Sequence, residues 1–189
     1  MENIVLASTS PRRKELMSKF GIDFICAGPE NVEEKIFSDR ELSPQLEELS
    51  FLKAKSIQKK YPGNIILGAD TIVYFDGEVL GKPSNPEEAK IYLKRLSGNK
   101  HYVYTGVSII NDKTNVSFTE ITEVKFREIP GYAIKKYVDS GNPLDKAGSY
   151  GIQDYGALFV ESIKGDFYNV MGLPLGRLWV ELRKIGLNI

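Results

Sequence analysis

Two short segments of this chain carry residue types suited to handling phosphate and water. The first is Ser8-Thr9-Ser10-Pro11-Arg12-Arg13, which follows the apolar run Ile4-Val5-Leu6-Ala7. A short β-branched run reads as a strand. Ser10 before Pro11 reads as a helix N-cap with proline at the first helical position. Such a junction offers unsatisfied backbone N–H groups and the positive end of a helix dipole. Ser8, Ser10, Arg12 and Arg13 are therefore candidate ligands for an anion, phosphate foremost. The second segment is Gly68-Ala69-Asp70-Thr71. A carboxylate inside an apolar strand run is costly to bury without a partner. Asp70 reads either as a strand-end residue capping a turn or as a metal ligand or general base.

Other segments add polar groups or fail a motif. Asp145-Lys146-Ala147-Gly148-Ser149-Tyr150-Gly151-Ile152-Gln153 is dense in polar and glycine residues. It reads as a solvent loop or as a binding loop, in which Lys146 binds phosphate. Gln153 offers a donor and an acceptor, the equipment for reading the edge of a base. Gly77-Glu78-Val79-Leu80-Gly81-Lys82-Pro83-Ser84 looks like a P-loop but has the wrong glycine spacing, and Pro83 stands where Ser or Thr belongs. No Gly-x-Ser-x-Gly elbow is present. His101, the single histidine, is read as a surface residue at a strand start.

The elements that must position these residues alternate between strand and helix. Strands are predicted over about 3–8 and 22–27, with a helix over about 11–20 between them. Ser43-Pro44 starts a helix to about 60 carrying Leu46, Leu49, Leu52 and Ile57. Ile65 to Phe75 is strand-rich, interrupted by Gly68-Ala69-Asp70. Asp76-Gly77 signals a type I′ hairpin, whose register carries Lys82 back beside Asp70-Thr71. Asn85-Pro86 starts a helix with Ala89, Tyr92, Leu93 and Leu96 on one face, stopped by Gly98. Tyr102–Ile110 and Ser117–Ile129 read as antiparallel strands joined by Asn111-Asp112-Lys113. Pro130 opens a helix carrying Ala133, Ile134, Tyr137 and Val138. Ala157–Ile163 and Tyr168–Met171 read as a hairpin. The last helix starts at Pro174, with Leu175, Leu178, Trp179 and Leu182 on one face. The sum is an α/β (α+β mixed) chain with a mixed sheet, read as a single domain over 1–189.

Composition narrows the classes. Lysine and arginine number 25 and so do aspartate and glutamate, giving no net charge. That argues against a nucleic-acid coat or a membrane-surface binder. Glu30, Glu33, Glu34, Asp39, Glu41, Glu47 and Glu48 stand directly before Lys53, Lys55, Lys59 and Lys60. This pattern is either a solvated helix face or the outline of a metal-and-phosphate site. Cys26, the one cysteine, is expected in the core of a protein from a reducing compartment. No signal peptide or membrane span is read, so the expected location is the cytoplasm.

Seven segments in order resemble the Maf family of nucleotide pyrophosphatases nearly end to end. They are Leu6-Ala7-Ser8-Thr9-Ser10-Pro11-Arg12-Arg13, Val32-Glu33-Glu34, Leu52-Lys53-Ala54, Gly68-Ala69-Asp70-Thr71, Gly81-Lys82-Pro83, Asp145 to Gln153, and Met171-Gly172-Leu173-Pro174. The resemblance implies hydrolysis of a nucleoside triphosphate to a monophosphate and pyrophosphate with a divalent metal, Mg²⁺ or Mn²⁺. It implies a central twisted mixed sheet with flanking helices, similar to the inosine-triphosphate pyrophosphatase fold, with two lobes around a cleft. It gives Asp70 the proton-acceptor role and falls on Glu34, with Glu33 as fallback, for the second metal-site acid. Lys53 and Lys82 would add charge for the transition state. Arg12, Thr71 and Gln153 look like the branch acting on dTTP and UTP. By the same resemblance the chain is a homodimer with a nucleotide substrate. A second reading, prompted by the family's association with septum formation, is a regulatory module that binds nucleotide without turnover. The complete acidic and basic set speaks against it.

Overall fold

The computed structural model describes residues 3–187. Its described residues build a seven-stranded mixed sheet, ordered β2-β1-β3-β5-β6-β7 with β4 beside β3. The strands are β1 (Ile4–Ala7), β2 (Phe24–Cys26), β3 (Ile65–Phe75), β4 (Glu78–Leu80), β5 (Lys100–Ile110), β6 (Asn115–Phe126) and β7 (Val160–Lys164). The helices are α1 (Pro11–Lys19), α2 (Leu42–Gln58), α3 (Pro86–Leu96), α4 (Gly131–Asp139), α5 (Phe167–Met171) and α6 (Leu175–Lys184). The chain divides into two compact units. One holds 1–70, 105–120 and 172–189, the other 71–104 and 121–171.

In the first unit, β1 runs parallel to both β2 and β3. All four β1 residues are buried, as expected for a parallel strand covered on both faces. The core here joins Val5, Ala7, Ala54, Ile57, Ile66 and Ile110. Helix α2 lies close against the sheet, and two glycines make that approach possible. A Cβ on Gly68 would stand 2.1 Å from the Ser50 carbonyl oxygen, and one on Gly106 would stand 2.4 Å from that of Leu46. The buried stripe of α2 is Leu42, Leu46, Leu49, Ser50, Lys53, Ala54 and Ile57. Leu52, expected on that stripe, is exposed instead, and the charged Lys53 takes the inward position. The helix also begins at Leu42, with Pro44 in its first turn, where a missing N–H costs nothing.

Cys26 is exposed rather than buried, because three-residue β2 is the edge strand. Its thiol donates to the Ser8 carbonyl at 3.0 Å. Trp179 is likewise exposed, whereas Leu175, Leu178 and Leu182 of α6 are buried as expected.

The second unit packs around Val73, Leu93, Val103, Phe126, Tyr137 and Phe159. Asp76 and Gly77 have φ of 51° and 81°, the left-handed pair that a type I′ turn requires. The register is the expected one, with Phe75 opposite Glu78 and Val73 opposite Leu80. Pairing ends at Leu80, so the ladder does not extend to Lys82. The Gly81 carbonyl instead accepts from the Gly148 N–H at 3.1 Å. Strand β3 is unbroken through Gly68-Ala69-Asp70, against the expected interruption. Asn85 caps α3 by accepting from the Glu88 N–H at 2.9 Å.

The hairpin expected at 157–171 is replaced by a strand and a helix. Strand β7 pairs antiparallel with β6, and 167–171 forms α5. Asp166 explains the switch, since its Oδ1 accepts from the N–H groups of Tyr168 at 2.6 Å and Asn169 at 3.2 Å. That carboxylate caps a helix start, a signal the apolar run around it obscures.

His101 is fully buried, not a surface residue. Its Nε2 bonds the Tyr150 hydroxyl at 2.8 Å, and its ring meets Phe126 edge-on at 4.8 Å. Burial lowers its pKa from 6.5 to about 3, so the ring stays neutral in the folded chain.

Two outcomes follow. Gly68→Ala should destabilise the protein by about 1–3 kcal/mol through overpacking, read from the denaturant midpoint. His101 takes up a proton in the unfolded chain at a pH where the folded chain refuses it. Its contribution is complete above pH 6.5 and is lost as pH falls from there toward 3, at about 1.4 kcal/mol per pH unit. His101→Gln should flatten that part of the stability–pH curve measured by chemical denaturation.

Candidate active site

The strand–helix junction forms as the sequence predicts, with Pro11 at the start of α1 and Ser10 at its N-cap position. The Ser10 hydroxyl does not cap the helix. Its backbone N–H instead donates to the Ser8 Oγ at 3.1 Å. Arg13 turns inward from the first turn. Its Nε donates to the Gly172 carbonyl at 2.8 Å, and Nη1 lies 3.3 Å from Ser8 Oγ. Burial lowers the Arg13 pKa, and the negative charge of Asp70 works against that shift. An arginine remains a cation even so. Arg13 therefore braces the Ser8 loop, and Arg12 is the half-buried guanidinium beside it on α1.

Asp70 faces α2 for a register reason. Gly68 is the residue whose absent Cβ lets α2 approach. Side chains two apart on a strand share a face, so Asp70 lies on that same side and Thr71 on the other. Lys53 Nζ meets Asp70 Oδ1 at 2.5 Å and Glu34 Oε1 at 2.6 Å. The ammonium is thus shared by two carboxylates. The Lys53 side chain is 6% exposed, Asp70 14% and Glu34 52%, so the triad is closed at the lysine and open at Glu34. Glu33 points elsewhere and pairs with Lys35 at 2.5 Å in solvent. Of the two acids, Glu34 is the one brought to Lys53.

The second unit holds Thr71, Lys82, Lys146 and Gln153. Lys82 is exposed and follows Gly81, which is tied to Gly148. The Lys146 ammonium donates to the Asn142 carbonyl at 2.5 Å and Asp145 Oδ1 at 2.7 Å, and lies 3.5 Å from Asp154 Oδ2. Those three oxygens hold it within its own loop. Gln153 is exposed. Sequence reasoning missed Tyr137 and Asp154 here. The Tyr137 hydroxyl donates to Asp154 Oδ1 at 2.7 Å and accepts from the Gly151 N–H at 3.0 Å. A tyrosine on an apolar helix face gives no hint of such a partner.

Among the described residues, no group of three or more His, Cys, Asp or Glu is arranged to hold a metal. Glu34 and Asp70 supply two hard oxygen donors. That suits a Mg²⁺-type ion, which is commonly held by one or two carboxylates together with substrate phosphates and water.

The described fold is similar to that of the Staphylococcus aureus Ham1 protein. The TM-score is 0.52 at 13% identity, covering 97% of this chain and all of that one. It is an α/β fold with a mixed central sheet and flanking helices. A family model described as Maf-like protein matches residues 3–185, and the chain belongs to that family. It is 48% identical over 189 residues to the dTTP/UTP pyrophosphatase of Bacillus cereus (strain G9842), covering 100% of this chain and 98% of that one. It is 47% identical over 185 residues to the dTTP/UTP pyrophosphatase of Thermotoga maritima, covering 97% and 89%.

Lys53→Met should expose the cost of leaving Asp70 beside a missing cation. Stability should fall by about 1–3 kcal/mol, less than for a wholly buried pair because Glu34 is open. Adding Asp70→Asn should recover part of that loss, as measured by equilibrium unfolding of both variants.

Proposed function

We propose that the protein hydrolyses dTTP and UTP to the nucleoside monophosphate and pyrophosphate. The observation that carries this reading is the Glu34–Lys53–Asp70 triad, in a chain 48% identical over its whole length to a dTTP/UTP pyrophosphatase. Nucleoside triphosphates are cytoplasmic metabolites, and we assign the activity to that compartment.

Ser8, Ser10, Arg12 and the α1 N-terminus hold phosphate oxygens, with Arg13 bracing Ser8. Asp70 is the general base. Lys53 holds its carboxylate in place through Oδ1, and the carboxylate takes the proton from the attacking water. The water oxygen bonds the α-phosphorus as the bond to the bridging oxygen breaks, and pyrophosphate leaves. Lys53 and Lys82 counter the charge that builds on the phosphates. Glu34 and Asp70 would hold Mg²⁺ or Mn²⁺, which supplies neutralisation of the leaving pyrophosphate. Thr71 and Gln153 read the base, and the paired donor and acceptor of the Gln153 amide suit a pyrimidine with N3–H beside a carbonyl. Lys146 supports the loop that carries Gln153.

Asp70→Asn should lower turnover of dTTP and UTP by about 10²–10⁴-fold. The check is an assay of each common triphosphate, with and without Mg²⁺, that separates pyrophosphate from orthophosphate. Release of orthophosphate alone would defeat attack at the α-phosphorus. Absence of turnover on every triphosphate would favour nucleotide binding alone.

A further inference from the structure

One buried oxygen meets the loop that carries Gln153 at two points. Tyr137 lies on the inner face of α4 and is 1% exposed. Its hydroxyl accepts from the Gly151 N–H at 3.0 Å and donates to Asp154 Oδ1 at 2.7 Å. Both directions of that hydroxyl are thus used, which fixes its proton. Gly151 and Asp154 bracket Gln153 in sequence, so a single group sets both ends of the turn that bears the amide. Asp154 Oδ1 also accepts from the Gly156 N–H at 2.9 Å, and its Oδ2 stands 3.5 Å from Lys146 Nζ.

The space over Gly151 shows that the Gln153 amide lies beside it. A Cβ there would lie 2.6 Å from Asp154 Oδ2, 2.7 Å from Lys146 Cε and 3.0 Å from Gln153 Nε2. The Gln153 amide therefore lies against the same network. The phenol ring is itself immobilised, stacked on Tyr155 at 5.8 Å and edge-on to Phe159 at 5.5 Å. Burial and the bond to Asp154 raise the Tyr137 pKa, so the donor proton is retained. On the near side of Gly151, Tyr150 is anchored by its hydroxyl to His101 at 2.8 Å. The segment is thus hydrogen-bonded on both flanks, the kind of anchoring that preorganises a recognition group.

We propose that Tyr137, acting through Gly151 and Asp154, is a positioning residue that sets the Gln153 amide for pyrimidine selection. The proposal rests on the reading that Gln153 contacts the base. Tyr137 itself touches no substrate, so its loss shifts the recognition geometry and leaves the proton transfer at Asp70 intact.

The test compares Tyr137→Phe, Gln153→Ala and the double variant, with kcat and KM measured for dTTP, UTP and dCTP. Cytosine lacks the N3–H that thymine and uracil share. Tyr137→Phe should raise KM for dTTP and UTP about tenfold, the worth of one hydrogen bond, with kcat held within about threefold. Its preference for dTTP over dCTP should fall by a similar factor. The double variant should lose no more selectivity than Gln153→Ala alone, because both act on one group. A Tyr137→Phe protein with a lower melting temperature but unchanged selectivity would reduce Tyr137 to a structural role and overturn the proposal. Unchanged selectivity in Gln153→Ala would overturn the base reading itself, and the positioning role with it. Should Tyr137→Phe not fold, Asp154→Asn weakens the same link with little change of shape and should give the same shift in preference.

Discussion

A lysine ammonium cannot be taken out of water alone, and the first unit is arranged around that fact. Lys53 projects from the inner face of α2 with its side chain almost entirely covered. Leaving such a charge unpaired would cost several kcal/mol. Asp70 and Glu34 meet it at 2.5 Å and 2.6 Å. The close seating of α2 makes that meeting possible, and the seating depends on the missing side chains of Gly68 and Gly106. The strand period then places Asp70 on the helix-facing side of β3, two residues beyond Gly68. Packing and chemistry here share one cause.

The second unit handles its polar groups differently. Its buried network joins tyrosine hydroxyls, a neutral histidine and backbone N–H groups to the Asp154 carboxylate and the Lys146 ammonium. Neutral hydrogen bonds cost less to bury than charges, and they fix direction well. That is an arrangement suited to holding a loop still. The charged triad is closed at Lys53 and open at Glu34, as the proposed entry of phosphate and a cation would need.

Much of this was legible from local signals. The Ser10-Pro11 junction, the Asp76-Gly77 hairpin and the Asn85-Pro86 helix start form at their expected positions, because caps and turns are decided by a few adjacent residues. The grouping of Asp70, Glu34 and Lys53 came from the family resemblance, not from spacing. A signal was nonetheless available. Lys53 falls on the stripe of Leu46, Leu49 and Ile57, where a charge demands a partner. Hydrophobicity alone points to Leu52 for that stripe, and the helical period excludes it. Cys26 lies on the surface and His101 in the core, the reverse of what their local sequence suggests. Local composition does not reveal that β2 is an edge strand or that Tyr150 covers the β5 start.

The sequence by itself determined most of the alternation of strands and helices, the turn chemistry and the set of candidate phosphate ligands. Those follow from backbone preferences and side-chain types, which act over a few residues. Only the tertiary structure decided which acid meets Lys53, that Arg13 and Lys146 are held within the protein by carbonyl and side-chain oxygens, and that the Tyr137 hydroxyl meets Gly151 and Asp154. Arg13 meets Gly172 across 159 residues and Lys53 meets Asp70 across 17, while the partners of Lys146 lie within its own loop. Each such contact depends on how the backbone brings its partners together, which no local pattern contains.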